Sequence, residues 1–172
     1  MKKILIITPK FPLPTTGACE QERLAGFLQL RGLGFEVRII GRVFSWQDKN
    51  EIEQWSKTNG IVVDLVDYEF VKNKNWREKL KRIMQPKYWD GAAYEYSLPA
   101  IQSAVAGIAA EFQPSLAWFD YTYLWPLCHL FKSKNIPIIT RSINFEPIHF
   151  LQEDGVSFKN VAVSALNVAD DG

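Results

Sequence analysis

The chain has 172 residues, 47% of them hydrophobic, 13% aromatic and 23% charged, and its 20 Lys+Arg against 19 Asp+Glu leave a formal charge of +1. That composition fits one soluble globular domain and argues against a disordered chain, which needs low hydrophobicity or a large net charge. The near balance of charge removes any global pull toward nucleic acid or an anionic membrane.

Such a chain buries roughly 70% of its unfolded surface, so it needs no disulfide or metal staple. Cys19 and Cys128 stand far apart, in no metal-ligand spacing, and read as cytosolic thiols. No apolar run approaches the roughly 18 residues of a transmembrane helix. Met1-Lys2-Lys3 and Ile4–Ile7 begin like a secretory leader, but Thr8-Pro9-Lys10 ends the apolar run after four residues. The expectation is a cytoplasmic chain forming one domain over residues 1–172, or one domain cut from a longer protein.

Lys3 to Ile7 is a continuous β-branched and leucine run, the pattern of a strand buried on both faces. Thr8 to Gly17 holds three prolines and a glycine and must be a loop. Glu20 to Leu30 reads as a helix with Leu24, Phe27 and Leu28 on one face. Glu20 and Glu22 suit its positive end, and Arg31-Gly32 close it. Phe35 to Ile40 is a second strand. Asp48 to Lys57 forms a short helix with Ile52 and Trp55 inward, and Ile61 to Val66 is a third strand.

Lys72 to Met84 has helical periodicity, stopped by Gln85-Pro86. Tyr94 to Phe112 reads as the longest helix, with Ile101, Val105, Ile108 and Phe112 inward. Leu116 to Phe119 is a fourth strand. Thr122 to Lys132 is a helix with Leu124, Leu127, Cys128 and Phe131 on one side. Pro137 to Thr140 begins a fifth strand, and Ser142 to Glu146 leaves it. Residues 157–172 carry no assignable pattern.

Strands separated by helices imply right-handed crossovers and a parallel sheet covered on both faces. The fold class is α/β: a Rossmann-like doubly wound sheet, three-layer α/β/α, of strand order 3-2-1-4-5. Ligands of such sheets bind outside the carboxyl ends of the strands, at the switch point. That rule selects the loops at 8–18, 41–47, 119–123 and 141–147.

On the first loop, Thr16, Gly17 and Ala18 lead into a helix with Glu20 in its first turn. The open N–H groups there favour a phosphate or carboxylate, unless Thr16 simply caps the helix. Asp120, with Tyr121 beside it, can orient a substrate hydroxyl or cap the helix that follows. Arg141 and Glu146 can hold a ligand or pair with each other. Asn144 can do the same or cap a helix. His149 is the one histidine near this cleft, and is a catalytic candidate or a satisfied surface residue.

Gly32-Leu33-Gly34 lacks the third glycine of a dinucleotide fingerprint and precedes the wrong strand. There is no GxxxxGK[ST] loop either. Nicotinamide, flavin and P-loop chemistry are therefore set aside. Lys72–Met84 carries six Lys/Arg to one Glu, with Trp76, Leu80, Ile83 and Met84 on one face. It is either a contact for an anionic membrane or an ordinary helix packed on the sheet.

Several segments occur together in chain order. They are the opening Ile4-Leu5-Ile6-Ile7-Thr8-Pro9, the proline-rich loop, Gly17-Ala18, Glu20 and Arg23. Arg31-Gly32 to Gly34-Phe35-Glu36-Val37 follows, and then Arg141-Ser142-Ile143-Asn144-Phe145-Glu146. In this order they resemble the N-terminal domain of a GT-B glycosyltransferase of the retaining kind known as family four. The match covers most of residues 3 to 150.

The resemblance implies two Rossmann-like domains facing across a cleft. The N-terminal domain binds the acceptor, a glycan or lipid-linked molecule. The C-terminal donor domain, which lies outside these residues, binds the nucleotide sugar. It implies no cofactor and no metal for donor binding. Two departures stand out: Gly17-Ala18 replaces the family's Gly-Gly, and Ile143 replaces its strand-end histidine. The leading expectation is the acceptor-binding half of a bacterial-type enzyme of polysaccharide biosynthesis, inactive alone. The rivals are a stand-alone, non-catalytic Rossmann-type binding module and a different small α/β enzyme using Asp120, Arg141 and His149. The length of the intact reading frame discriminates between the first two.

Overall fold

The computed structural model describes residues 2–67, 84 and 91–141. Five parallel strands form one sheet: β1 (Lys3–Thr8), β2 (Glu36–Val43), β3 (Val62–Asp67), β4 (Leu116–Phe119) and β5 (Ile138–Thr140). Their order is β3-β2-β1-β4-β5, the order expected from the sequence. β1 is central, with Ile4 opposite Val37 on one side and Leu116 on the other. The switch point lies between β1 and β4, and residues 8 and 120 leave the sheet there.

The helices are α1 (Ala18–Gly32), α2 (Lys49–Asn59), α3 (Gly91–Tyr96), α4 (Pro99–Phe112) and α5 (Cys128–Lys132). They cover both faces. Ile4 and Ile6 pack with Leu24, Phe27, Ile39 and Ile52 on one side. Leu5 and Ile7 pack with Ile101, Val105, Phe119 and Phe131 on the other. This two-sided burial is why β1 reads as an unbroken apolar run. Each fully buried Ile or Leu contributes about 2 kcal/mol of transfer free energy.

α2 starts as its sequence predicts. Asp48 caps it, accepting from Asn50 N–H at 2.9 Å, and Gly60 ends it in the left-handed conformation at φ 56°. Ile52 is buried, and Trp55 meets Phe11 edge-on at 5.3 Å.

Three expectations are corrected. Leu28 is largely exposed, and Arg23 takes an inward position on α1 instead. Tyr94 to Phe112 is not one helix: α3 stops at Tyr96, and α4 begins afresh at Pro99. Leu98 is extended there, at φ −69° and ψ 135°, because the proline ring excludes a helical residue before it and prefers a first turn. α1 is consequently longer than α4. Thr122 to Lys132 is also divided. Thr122–Leu127 winds as a 3-10 helix, because Pro126 cannot donate to the carbonyl one α-turn back and its ring crowds that carbonyl.

No helix among the described residues is long and apolar enough to cross a membrane. The predicted Lys72–Met84 helix lies outside the described residues, save Met84. So do Ser142–Glu146, Asn144, Glu146 and His149.

Candidate functional site

At the switch point the sheet sets Thr8 and Asp120 side by side. Asp120 N–H donates to the Ile7 carbonyl at 3.0 Å, and Thr8 Oγ1 donates to Asp120 Oδ2 at 2.9 Å. Arg23 reaches them from the inner face of α1. Its Nε donates to Asp120 Oδ2 at 2.6 Å, and its Nη2 donates to the Lys10 carbonyl at 2.6 Å and to Thr8 Oγ1. The Arg23 and Asp120 side chains are 2% and 1% exposed. Beyond them, Arg141 Nη1 donates to Asp120 Oδ1 at 3.3 Å while its Nη2 lies 3.0 Å from Glu22. Asp120 therefore ties together the ends of β1, β4 and β5 and one face of α1.

This buried pair bears on the readings of Asp120 and Arg141, while Glu146, the other partner expected for Arg141, lies outside the described residues. Asp120 is not a cap: Tyr121 occupies the cap position of the helix that follows, which has no side-chain cap. Arg141 pairs with Asp120 and Glu22.

The N-terminus of α1 has its own occupant. Gly17 is the cap residue, extended and without a side-chain bond, so Thr16 does not cap the helix. The Glu20 carboxylate folds back. Its pKa is held below the ordinary value by Lys10 Nζ at 3.2 Å and by its own backbone N–H. A Cβ at residue 17 would sit 3.2 Å from Glu20 Oε2, so glycine leaves room for this carboxylate. The anion that a helix N-terminus favours is thus supplied from within the chain.

Above the anchor lies a cleft of about 260 Å³. Pro9, Lys10, Glu20 and Arg23 form one wall, from the first loop and α1. The end of β2 supplies Arg42 and Phe44, and α3 supplies Glu95 and Tyr96. Tyr121 and Tyr123 close it. Arg42 Nη1 is 2.5 Å from Glu95 Oε2, and its guanidinium lies 4.5 Å from the Phe44 ring centre. The Tyr121 and Tyr123 rings stack at 5.2 Å, and Tyr96 meets Tyr123 at 6.1 Å. Burial pushes the Tyr121 hydroxyl up to about 12, against the pull of Arg23, so it is a neutral donor.

Gln47, itself buried, joins two of these loops. Its Nε2 donates to the carbonyls of Phe11, at 2.8 Å, and Leu13, and its Oε1 accepts from Phe44 N–H at 3.0 Å. Gly41 lets the proline-rich loop cross β2, since a Cβ there would meet Phe11 at 3.2 Å.

Of the residues expected at the site, Glu20 and Tyr121 line the cleft. Asp120 and Arg141 lie beneath it. Thr16 and Ala18 are exposed at the start of α1, with Gly17 between them, and none of the three lines the cleft. Asn144, Glu146 and His149 lie outside the described residues. Sequence reasoning passed over Arg42 and Phe44, although they lie in or beside the selected 41–47 loop. It also passed over Glu95 and Tyr96, which belonged to the supposed long helix. Among the described residues no group of three or more His, Cys, Asp or Glu side chains could hold a metal ion.

No family model and no curated protein matches the chain. Solved structures do. The C-terminal domain of a hydrogenase from Pyrococcus furiosus is 12% identical, with TM-score 0.50 over 81% of this chain and 89% of that one. A deacetylase of the teicoplanin biosynthesis pathway is 13% identical, with TM-score 0.50 over 80% of this chain and 65% of that one. A glycosyltransferase from Rickettsia africae is 13% identical, with TM-score 0.47 over 88% of this chain and 34% of that one. At these identities the likeness is one of fold alone.

Proposed function

We propose that this chain is the acceptor-binding half of a GT-B-type glycosyltransferase, which moves a sugar from a nucleotide-sugar donor to a glycan or lipid-linked acceptor. The observation that carries the reading is the cleft at the switch point, where aromatic rings alternate with hydrogen-bonded charges. A sugar ring has two apolar C–H faces and a rim of hydroxyls. Phe44 and the tyrosines offer surfaces for the faces. Glu20, Glu95 and the neutral Tyr121 hydroxyl offer acceptors and donors for the rim. The chain-order resemblance of residues 3 to 150 to acceptor-side domains points the same way.

In this reading Arg23 and Asp120 hold the loops in place, and the cleft residues orient the acceptor hydroxyl. The donor and the second wall come from another domain, so the chain alone transfers nothing. A turnover assay with nucleotide sugars and saccharide acceptors, alongside saturation-transfer NMR, tests this. The expected result is saccharide binding without transfer. Transfer by the chain alone, or binding of the nucleotide sugar with no saccharide binding, would overturn it.

A further inference from the structure

Trp46 sits in the loop after β2 and is 60% exposed. Its indole stacks on Phe44, with ring centres 6.0 Å apart and planes 19° from parallel. Phe44 is a wall of the cleft. Lys10, on the facing loop and also a wall, places its ammonium 5.4 Å from the indole centre. Trp46 therefore continues the aromatic wall outward over the rim. A flat exposed ring joined to the cleft wall through Phe44 offers an apolar surface for a ligand that leaves the cleft on that side.

Size gives the second part. The cleft's 260 Å³ falls below the roughly 300 Å³ at which pockets for drug-sized ligands begin. It takes one sugar ring, and a longer ligand must leave across the rim.

Charge gives the third. Lys10 holds Glu20 at 3.2 Å, Arg42 holds Glu95 at 2.5 Å, and Arg23 holds Asp120 at 2.6 Å. Each of these cations is matched by a carboxylate, so an anionic ligand meets no excess positive charge and lies close to the carboxylates already there. A hydroxyl needs only a spare lone pair or N–H, which paired groups still have.

We propose that the cleft takes an uncharged saccharide of two or more rings, the inner ring in the cleft and the next stacked on Trp46. This rests on the saccharide-binding reading above. The test is an array of neutral, uronic-acid-bearing and phosphorylated glycans of one to several rings, probed with the parent chain, Trp46→Ala and Trp46→Phe. The parent retains a subset of neutral glycans and prefers two rings over the matching single ring by about tenfold. Trp46→Ala loses that preference, Trp46→Phe keeps most of it, and both melt with the parent. Preference for acidic or phosphorylated glycans, or parent-like binding by Trp46→Ala, overturns the proposal and leaves the saccharide reading standing. Loss of anionic-vesicle binding by Trp46→Ala in place of glycan binding overturns it too, by making Trp46 a lipid contact. If no glycan of any class is retained, both fail.

Discussion

Two arginines, Arg23 on α1 and Arg38 on β2, each pair with carboxylates, but water reaches the two clusters very differently. Arg23 and Asp120 are sealed under the cleft at 2% and 1% exposure. Arg38, on β2, reaches Asp64 on β3 at 2.7 Å and Glu111 on α4 at 2.9 Å, where Glu111 is 70% exposed. The chemistry is the same and the consequence is not. Arg38 and Asp64 are only 13% and 23% exposed, but water reaches the Glu111 end of the cluster and screens it there. At the buried pair no water can replace a lost partner, so it fixes where three strand ends and α1 meet.

Breaking the buried pair gives the largest effect. Asp120→Ala leaves the Arg23 guanidinium without its carboxylate and costs about 3–5 kcal/mol, read from urea unfolding. Replacing both partners, Arg23→Met with Asp120→Leu, restores part of that stability, because the buried guanidinium is gone and Arg141 keeps Glu22. A double variant as unstable as Asp120→Ala would show that the pair's geometry, and not its charge balance, holds the loops.

Arg38→Ala comes next, at about 1 kcal/mol, and the cost shrinks in high salt. A salt-independent loss would place this cluster with the buried one. Smaller still is Glu20→Gln. Because the folded-state pKa of Glu20 is lowered, its contribution is present above the ordinary carboxylate range and is lost as pH falls through the lowered value. Thermal melts of parent and variant differ at neutral pH and converge as pH falls below the ordinary carboxylate range. Glu111→Ala is last, with a melting curve that overlays the parent's.

The central strand was legible because burial on both faces leaves Ile4–Ile7 of β1 an unbroken apolar run. Leu116–Phe119 and the strand order follow from the same logic. The break at Ser97-Leu98 was hidden because the apolar spacing runs on through it, and only Pro99 signals it, as a start. The anchor was hidden for a different reason. Arg23 and Asp120 are 97 residues apart, and an Asp before a helical pattern looks the same whether it caps the helix or binds a buried arginine. The cleft lies at the strand ends the switch-point rule selects, but Glu95 and Tyr96 come from α3, outside the four selected loops.

Gln47 bonds to the first loop through two carbonyls and to its own loop through Phe44 N–H. Neither loop can open without breaking the other's contacts, so the two share one local unfolding free energy. Amide protons near Leu13 and near Phe44 then exchange with solvent at linked rates. If the proposed saccharide binds, its hold on Phe44 also slows exchange near Leu13, at the far end of the first loop from the cleft wall at Pro9 and Lys10.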